Sequence, residues 1–364
     1  MSQKLNTSLL AGLAALTCAS AQATENYDLR YAPGNGGSDM TAPFEAGWAF
    51  QAPLYVYSGS ARTSTNTVTD LTKAPFGVPI PGANAVTTTD IHTQFNVTAL
   101  LPRLSYMSSK QFLGATIGGT VLFPIVEKRV HPQISGVSTA VNAPGLPAAN
   151  GQVIAGAINA AATGEADQLA AANGNTAYGL GDIEVAPILR WATDSSQVLF
   201  IPSVVLPTGD YKPSRAANQG EGKFFTFRPA VQYSYIGDGW DFGSRVAFSV
   251  NTRNTDTHYR SGNYFNLDAS LMKSLSDAWR AGVAMYGVVQ TTRDTSSQAP
   301  TDPALAAREA QTLGDKGHIW GAGPQLAYIH GAGQYLLDAR VLKEFDDQSR
   351  PKGYSAWVTL STAF

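Results

Sequence analysis

A period-two alternation of apolar and polar side chains recurs along this chain from about residue 43 to the last residue, Phe364, and it restricts the fold more than any other feature. In the final segment Tyr354, Ala356, Val358, Leu360, Thr362 and Phe364 alternate with Ser355, Trp357, Thr359 and Ser361. Successive side chains of a strand point to opposite faces, so one face is apolar apart from Thr362 and the other polar apart from Trp357. Trp240, Phe242, Val246, Phe248 and Val250 are set in the same way against Asp241, Arg245, Ser249, Asn251 and Arg253. Phe265, Leu267, Ala269 and Leu271 oppose Asn266 and Asp268, and Tyr335, Leu337, Ala339 and Val341 oppose Asp338, Arg340 and Glu344. A basic side chain facing lipid at mid-bilayer costs roughly 2 to 4 kcal/mol, so a wall between hydrocarbon and water demands this segregation.

The alternation predicts about twelve strands, near 43–57, 90–107, 111–126, 180–193, 196–211, 222–236, 239–254, 263–275, 278–293, 317–329, 334–346 and 353–364. Connections alternate in length. Ser108-Ser109-Lys110, Asp194-Ser195, Gly237-Asp238-Gly239, Ser276-Asp277 and Gly331–Gly333 read as tight turns, with longer connections between them. That pattern predicts an all-β, transmembrane, antiparallel up-and-down barrel with short periplasmic turns and long extracellular loops. Trp191, Trp240 and Trp279 fall beside the tight turns, and Trp320, Tyr264, Phe225 and Tyr354 near the opposite strand ends, which predicts two aromatic girdles. Pro202 and Pro207 each remove a ladder donor from the fifth strand, the predicted site of a bulge or lateral gap.

The other terminus agrees on the compartment. Lys4, the short apolar run Ser8–Leu16 and the small residues around Ala21 and Ala23 predict a signal peptide over 1–23, with residues 24–364 forming one outer-membrane barrel domain. The only cysteine, Cys18, leaves with the signal; lipidation at Cys18 is the competing reading, against which Thr17 fits poorly. Charged residues make up 14% of the chain and the net charge is −2, which gives no attraction for nucleic acid and suits a wall in lipid.

Two segments are read as loops: Arg62–Thr89, rich in Thr, Pro and Gly, and the Ala- and Gly-rich stretch of about 129–178, with a helix over Gly164–Ala172. Connections beyond about fifteen residues are usually functional or disordered, so one of them folding inward to narrow the pore stands beside a plain surface location. A third loop, Thr295–Asp315, is predicted to carry a helix over Pro303–Gln311. The chain has no catalytic, metal or cofactor motif. His92, His131, His258, His318 and His330 lack metal spacing, and Gly220-Glu221-Gly222-Lys223-Phe224 is not a phosphate loop. Inward positions supply the candidate lumen residues Arg190, Arg228, Arg245, Arg280 and Arg340, set against Asp268, Asp338 and Glu344 together with Glu45 and Glu184. A mixed-charge ladder that stiffens the barrel is the first reading of this set, and steering of a phenolate or carboxylate is the second.

Gly179-Leu180-Gly181-Asp182-Ile183, Leu206-Pro207-Thr208-Gly209-Asp210-Tyr211, Tyr259-Arg260-Ser261-Gly262-Asn263 and Gly321-Ala322-Gly323-Pro324-Gln325, followed by Tyr328, carry a family resemblance. In these blocks the chain resembles the outer-membrane proteins linked to the meta-pathway of phenol degradation. The resemblance implies a barrel in the outer membrane and passive uptake of small aromatic or other hydrophobic compounds, and it carries over no binding residue. A general or sugar-acid porin is the alternative, followed by an outer-membrane hydrolase or an adhesin. The implied partners are outer-membrane lipids, the solute, and the barrel-assembly machinery, since ending on an outward Phe364 resembles the terminal signal of such barrels.

Overall fold

The computed structural model describes residues 29–42, 45–73, 79–299, 301, 313–314 and 316–364. The predicted signal peptide and the predicted helix over Pro303–Gln311 lie outside the described residues. Strands β1 to β5 are Gly47–Asp70, Asn84–Leu100, Arg103–Phe112, Ala115–Leu122 and Ile125–Asn142, and helix α1 spans Ala148–Asn173. Strands β6 to β10 are Asn175–Leu180, Glu184–Ala192, Ser196–Val205, Thr226–Gly237 and Trp240–Asn251. After the two-residue β11 (Tyr259–Arg260) come β12 (Tyr264–Ser274), β13 (Trp279–Gln290), the short β14 (Thr295–Ser296), β15 (His318–His330), β16 (Tyr335–Gln348) and β17 (Lys352–Ala363).

All ladders are antiparallel, and the sheet closes where Ala49 to Ser60 of β1 pair with Ala363 back to Lys352 of β17. The barrel has twelve strands, as the alternation predicts, because β2 with β3, β4 with β5, and β6 with β7 each act as one interrupted strand. Each interruption carries a proline or a glycine. Pro102 separates β2 from β3, Pro124 separates β4 from β5, and Gly181-Asp182 separates β6 from β7. Proline cannot donate to a ladder, so the wall creases there. Leu101 donates to the Pro53 carbonyl (2.8 Å), Phe123 to Pro102 (2.9 Å), Gly181 to Pro124 (2.8 Å) and Leu206 to Ile183 (2.8 Å), which bridges the crease from strand to strand.

Several boundaries differ from the sequence reading. The hairpin between β3 and β4 turns at Leu113-Gly114, whose φ of 52° and 75° suit a two-residue turn that follows sheet twist; Ser108-Ser109-Lys110 forms a bulge inside the hairpin instead. Arg62–Thr89 is mostly strand, with β1 and β2 paired out to Asp70 and Asn84. Residues 129–142 extend β5 along β2, and α1 is far longer than the predicted helix, burying Ile158, Ala162, Ala166 and Ala170 at a spacing of four. The fifth strand stops at Val205, so Pro207 lies beyond it; Pro202 faces Pro229 across β9, and the β7–β8 ladder skips residues 186–188 and 201–203.

Trp48, Trp191, Trp240 and Trp279 are exposed at the end of the barrel carrying the tight turns, and Phe225, Phe345 and Tyr354 are exposed at the other. Tyr264, predicted for a girdle, points inward and is 1% exposed, as the parity of buried Asn266 and Asp268 requires. Val231, Val246, Phe265, Leu271, Val283, Leu337 and Val341 form the exposed apolar band between the girdles.

Candidate functional site

The lumen is not an open pore of roughly 10 Å, as twelve bare strands would leave. Residues 29–42 run inside the barrel, ending in a short 3₁₀ turn over Ser38–Thr41 whose residues are all buried. This stretch has no periodic pattern of its own, and the inward polar residues of the wall hold it. Tyr31 donates its hydroxyl to Asp268, which also accepts the Gly34 (3.0 Å) and Gly36 (3.3 Å) amides. Arg340 pairs with Asp338 and donates to the carbonyls of Gly34 (3.0 Å) and Asn35 (2.8 Å). The Met40 carbonyl accepts from Gln232 (2.9 Å), Gln197 (3.4 Å) and Ser234. At the upper end Arg30 pairs with Asp182 (3.0 Å) and lies over the Phe224 ring.

The eight residues predicted from sequence are distributed as follows. Asp268, Asp338 and Arg340 clamp the inner segment. Arg228 joins it to the wall, donating to the Arg30 carbonyl while pairing with Glu184 (3.1 Å). Arg245 donates to Gln232 Oε1 (2.8 Å) and has Asp39 at 4.0 Å. Arg280 pairs with Asp241, and Arg190 donates to Gln197 (2.7 Å) near the tight-turn end. Glu344 accepts from Tyr286 (2.6 Å), Tyr57 (3.0 Å) and the Gly353 amide (2.7 Å). Breaking a buried pair such as Arg340–Asp338 strands a charge, so the ladder fixes the inner segment firmly.

Between this segment and the wall of β1 to β10 lies a cavity of about 270 Å³. Tyr55, Leu101, Leu122, Ile188, Leu199 and Ala247 provide much of its apolar surface. Of the eight predicted residues, Arg228, Arg245 and Glu344 line it. Several contributors escaped the sequence reading: the inner segment, which supplies Arg30, Tyr31 and Asp39, Arg103 of β3, Lys128 of β5, and Asp182, Glu221 and Arg350 from connections between strands. The signal for Arg103 was present, since Leu104 and Tyr106 are exposed outward and parity then turns Arg103, Ser105 and Met107 inward. Tyr264, Tyr286, Val288, Leu342 and Trp357 of the later strands pack into a continuous apolar cluster that reaches Tyr55, Leu101 and Leu122 at the cavity wall.

The resemblance blocks are structural fasteners. Asp182 accepts the amides of Gly209 (2.9 Å) and Glu221 (2.9 Å), and Thr208 donates to Gly181 (3.1 Å), which ties the 206–225 loop to the crease. Asp294 accepts from Tyr259 (2.5 Å) and the Gly262 amide (2.6 Å). A Cβ on Gly321 would collide with the Tyr286 ring, and one on Gly323 with the Val341 carbonyl, so these glycines permit close packing. Among the described residues, no group of three or more His, Cys, Asp or Glu is placed to hold a metal ion.

A closed twelve-stranded antiparallel barrel with an apolar outer band and a polar, occupied lumen is a barrel of the outer-membrane type. The model of the family described as "Putative MetA-pathway of phenol degradation" matches residues 80–360, and the chain belongs to that family. The crystal structure of an outer membrane channel from Pseudomonas putida F1 superposes with a TM-score of 0.57 at 12% identity, covering 92% of this chain and 100% of that one, and shows the same fold. A Pseudomonas aeruginosa FadL homologue (TM-score 0.38, 10% identity, 92% and 95% covered) and the CymD monoaromatic hydrocarbon channel (0.37, 8%, 96% and 98%) are more distant. No curated protein sequence matches the chain.

Proposed function

We propose that this protein is a bacterial outer-membrane channel for passive entry of small aromatic or other hydrophobic compounds, exported through its N-terminal signal peptide and making or breaking no bond. The apolar-walled cavity beside the inner segment carries this reading. A dry apolar cavity of about 150 Å³ already holds benzene, so about 270 Å³ accommodates a ring with a substituent. The filled lumen also speaks against a general or sugar-acid porin, which needs a continuous water-filled path. The family's link to phenol degradation points the same way. Phe364, 72% exposed and joined to Trp48 by two backbone hydrogen bonds, is the proposed contact for the barrel-assembly machinery.

Entry into proteoliposomes tests the reading. Benzyl alcohol and phenol should enter faster than into protein-free vesicles, arabinose and sucrose should not, and Ala247→Phe, which fills the cavity, should slow the aromatics several-fold. Equal entry of sugars would establish the porin instead. Ester hydrolysis by the purified protein would revive an enzymatic role.

A further inference from the structure

The cations that line the cavity are not equally neutralised. Arg30 pairs with Asp182, Lys128 with Glu221 (3.5 Å) and Arg228 with Glu184, and Arg350 lies in the field of Glu344. Arg245 is the weaker case, with Asp39 at 4.0 Å. Arg103 stands apart. Among the described residues it forms no ion pair: Glu184 and Asp39 act on it only from beyond pairing distance, and its hydrogen bond to Gln51 Oε1 is long, at 3.4 Å. A guanidinium has five donors in a planar fork suited to a carboxylate. This one sits on the cavity wall between Leu101 and Ser105, with Leu122 opposite it across the β3–β4 ladder and Tyr55, Ile188 and Leu199 lining the same space.

A cation facing a largely apolar cavity is poorly compensated, and an anion bound there would make a charge-assisted contact. We propose that Arg103 is the anion-binding end of this cavity, and that the channel selects aromatic solutes carrying one negative charge, a carboxylate or a phenolate, with the ring laid against Tyr55, Leu122 and Leu199. Arg245, on the same cavity, adds a second attraction. The proposal deepens the aromatic-channel reading and rests on it for transport, although binding at Arg103 is measurable without transport.

The probes are benzoate and the uncharged benzyl alcohol, used with the full-length protein. Benzoate binding in detergent is followed by calorimetry, and entry of both solutes is followed in proteoliposomes. Wild type should bind benzoate and favour it over gluconate. Arg103→Gln should weaken benzoate binding and lower the ratio of benzoate to benzyl alcohol entry by about tenfold or more, the scale of one charge-assisted hydrogen bond. Arg103→Lys should restore part of both. Gln51→Glu, which keeps the cation but sets a carboxylate beside it, should act like Arg103→Gln, so a folding defect in one variant does not decide the matter. Arg129→Gln, on the exposed face of β5, should change neither measurement. Unaltered benzoate binding in both Arg103→Gln and Gln51→Glu overturns the proposal, and gluconate binding as tightly as benzoate overturns its aromatic half. Benzoate binding that depends on Arg103 without entry of either solute would instead overturn the channel reading and leave the site standing.

Discussion

The strands from β12 to β17 and those from β1 to β8 are built from the same antiparallel ladder, yet they enclose different interiors. The later strands are nearly uninterrupted, and their inward residues Tyr264, Tyr286, Leu342 and Trp357 pack together, reaching Tyr55 and Leu122 of the earlier strands, while Asp268, Asp338 and Arg340 fasten residues 29–42. The earlier strands crease at Pro102, Pro124 and Gly181-Asp182, and most of the cavity wall comes from them and from β9 and β10. Regular pairing lets side chains stack at close-packed density, whereas a creased wall withdraws from the inner segment and leaves space. One side of the barrel is scaffold, and the other is the part able to accept a solute.

The sharpest way to break this contrast is to strike the scaffold. Arg340→Met leaves Asp338 buried without its cation and should cost about 3 to 5 kcal/mol, read as a lower guanidinium midpoint for loss of the folded, heat-modifiable species. Next comes Gly282→Ala on β13, where a Cβ would overlap the Leu271 carbonyl; about 1 to 3 kcal/mol should be lost. Gly119→Ala on β4, where the nearest atom is the Ala186 carbonyl at 3.5 Å, should stay within about 0.5 kcal/mol. Gly119 shares the outward face of β4 with Tyr106, so a cost as large as that of Gly282→Ala would mean that this face has no more room than the inward face of β13. Pro202→Val returns a backbone donor to the broken β7–β8 ladder and should stabilise by no more than about 0.5 kcal/mol, the low end of a single net hydrogen bond. Aromatic entry unchanged by that variant would mean that no lateral gap depends on Pro202.

Much of the wall was legible in the sequence because lipid on one side and polar groups on the other force a strict period, as in Trp240–Asn251. The extension formed by the outer parts of β1, β2 and β5 was not. Thr63, Thr65, Thr67 and Thr69 pair there with Ile91, Thr89, Thr87 and Ala85 beyond any apolar stripe, and a strand without a lipid face has no readable alternation. The ladder charges were visible as inward residues, but what they hold was not. Residues 29–42 take their conformation from distant side chains rather than from local propensity.

Those contacts join positions 232 to 306 residues apart along the chain, among the longest separations the polypeptide offers. Contacts of such range are late to form. Asp268, Asp338 and Arg340 are all supplied by strands downstream of the cavity's main wall, as is β17, whose pairing with β1 closes the sheet. The stopper is set at the close of maturation, by the same stretch of chain that shuts the barrel.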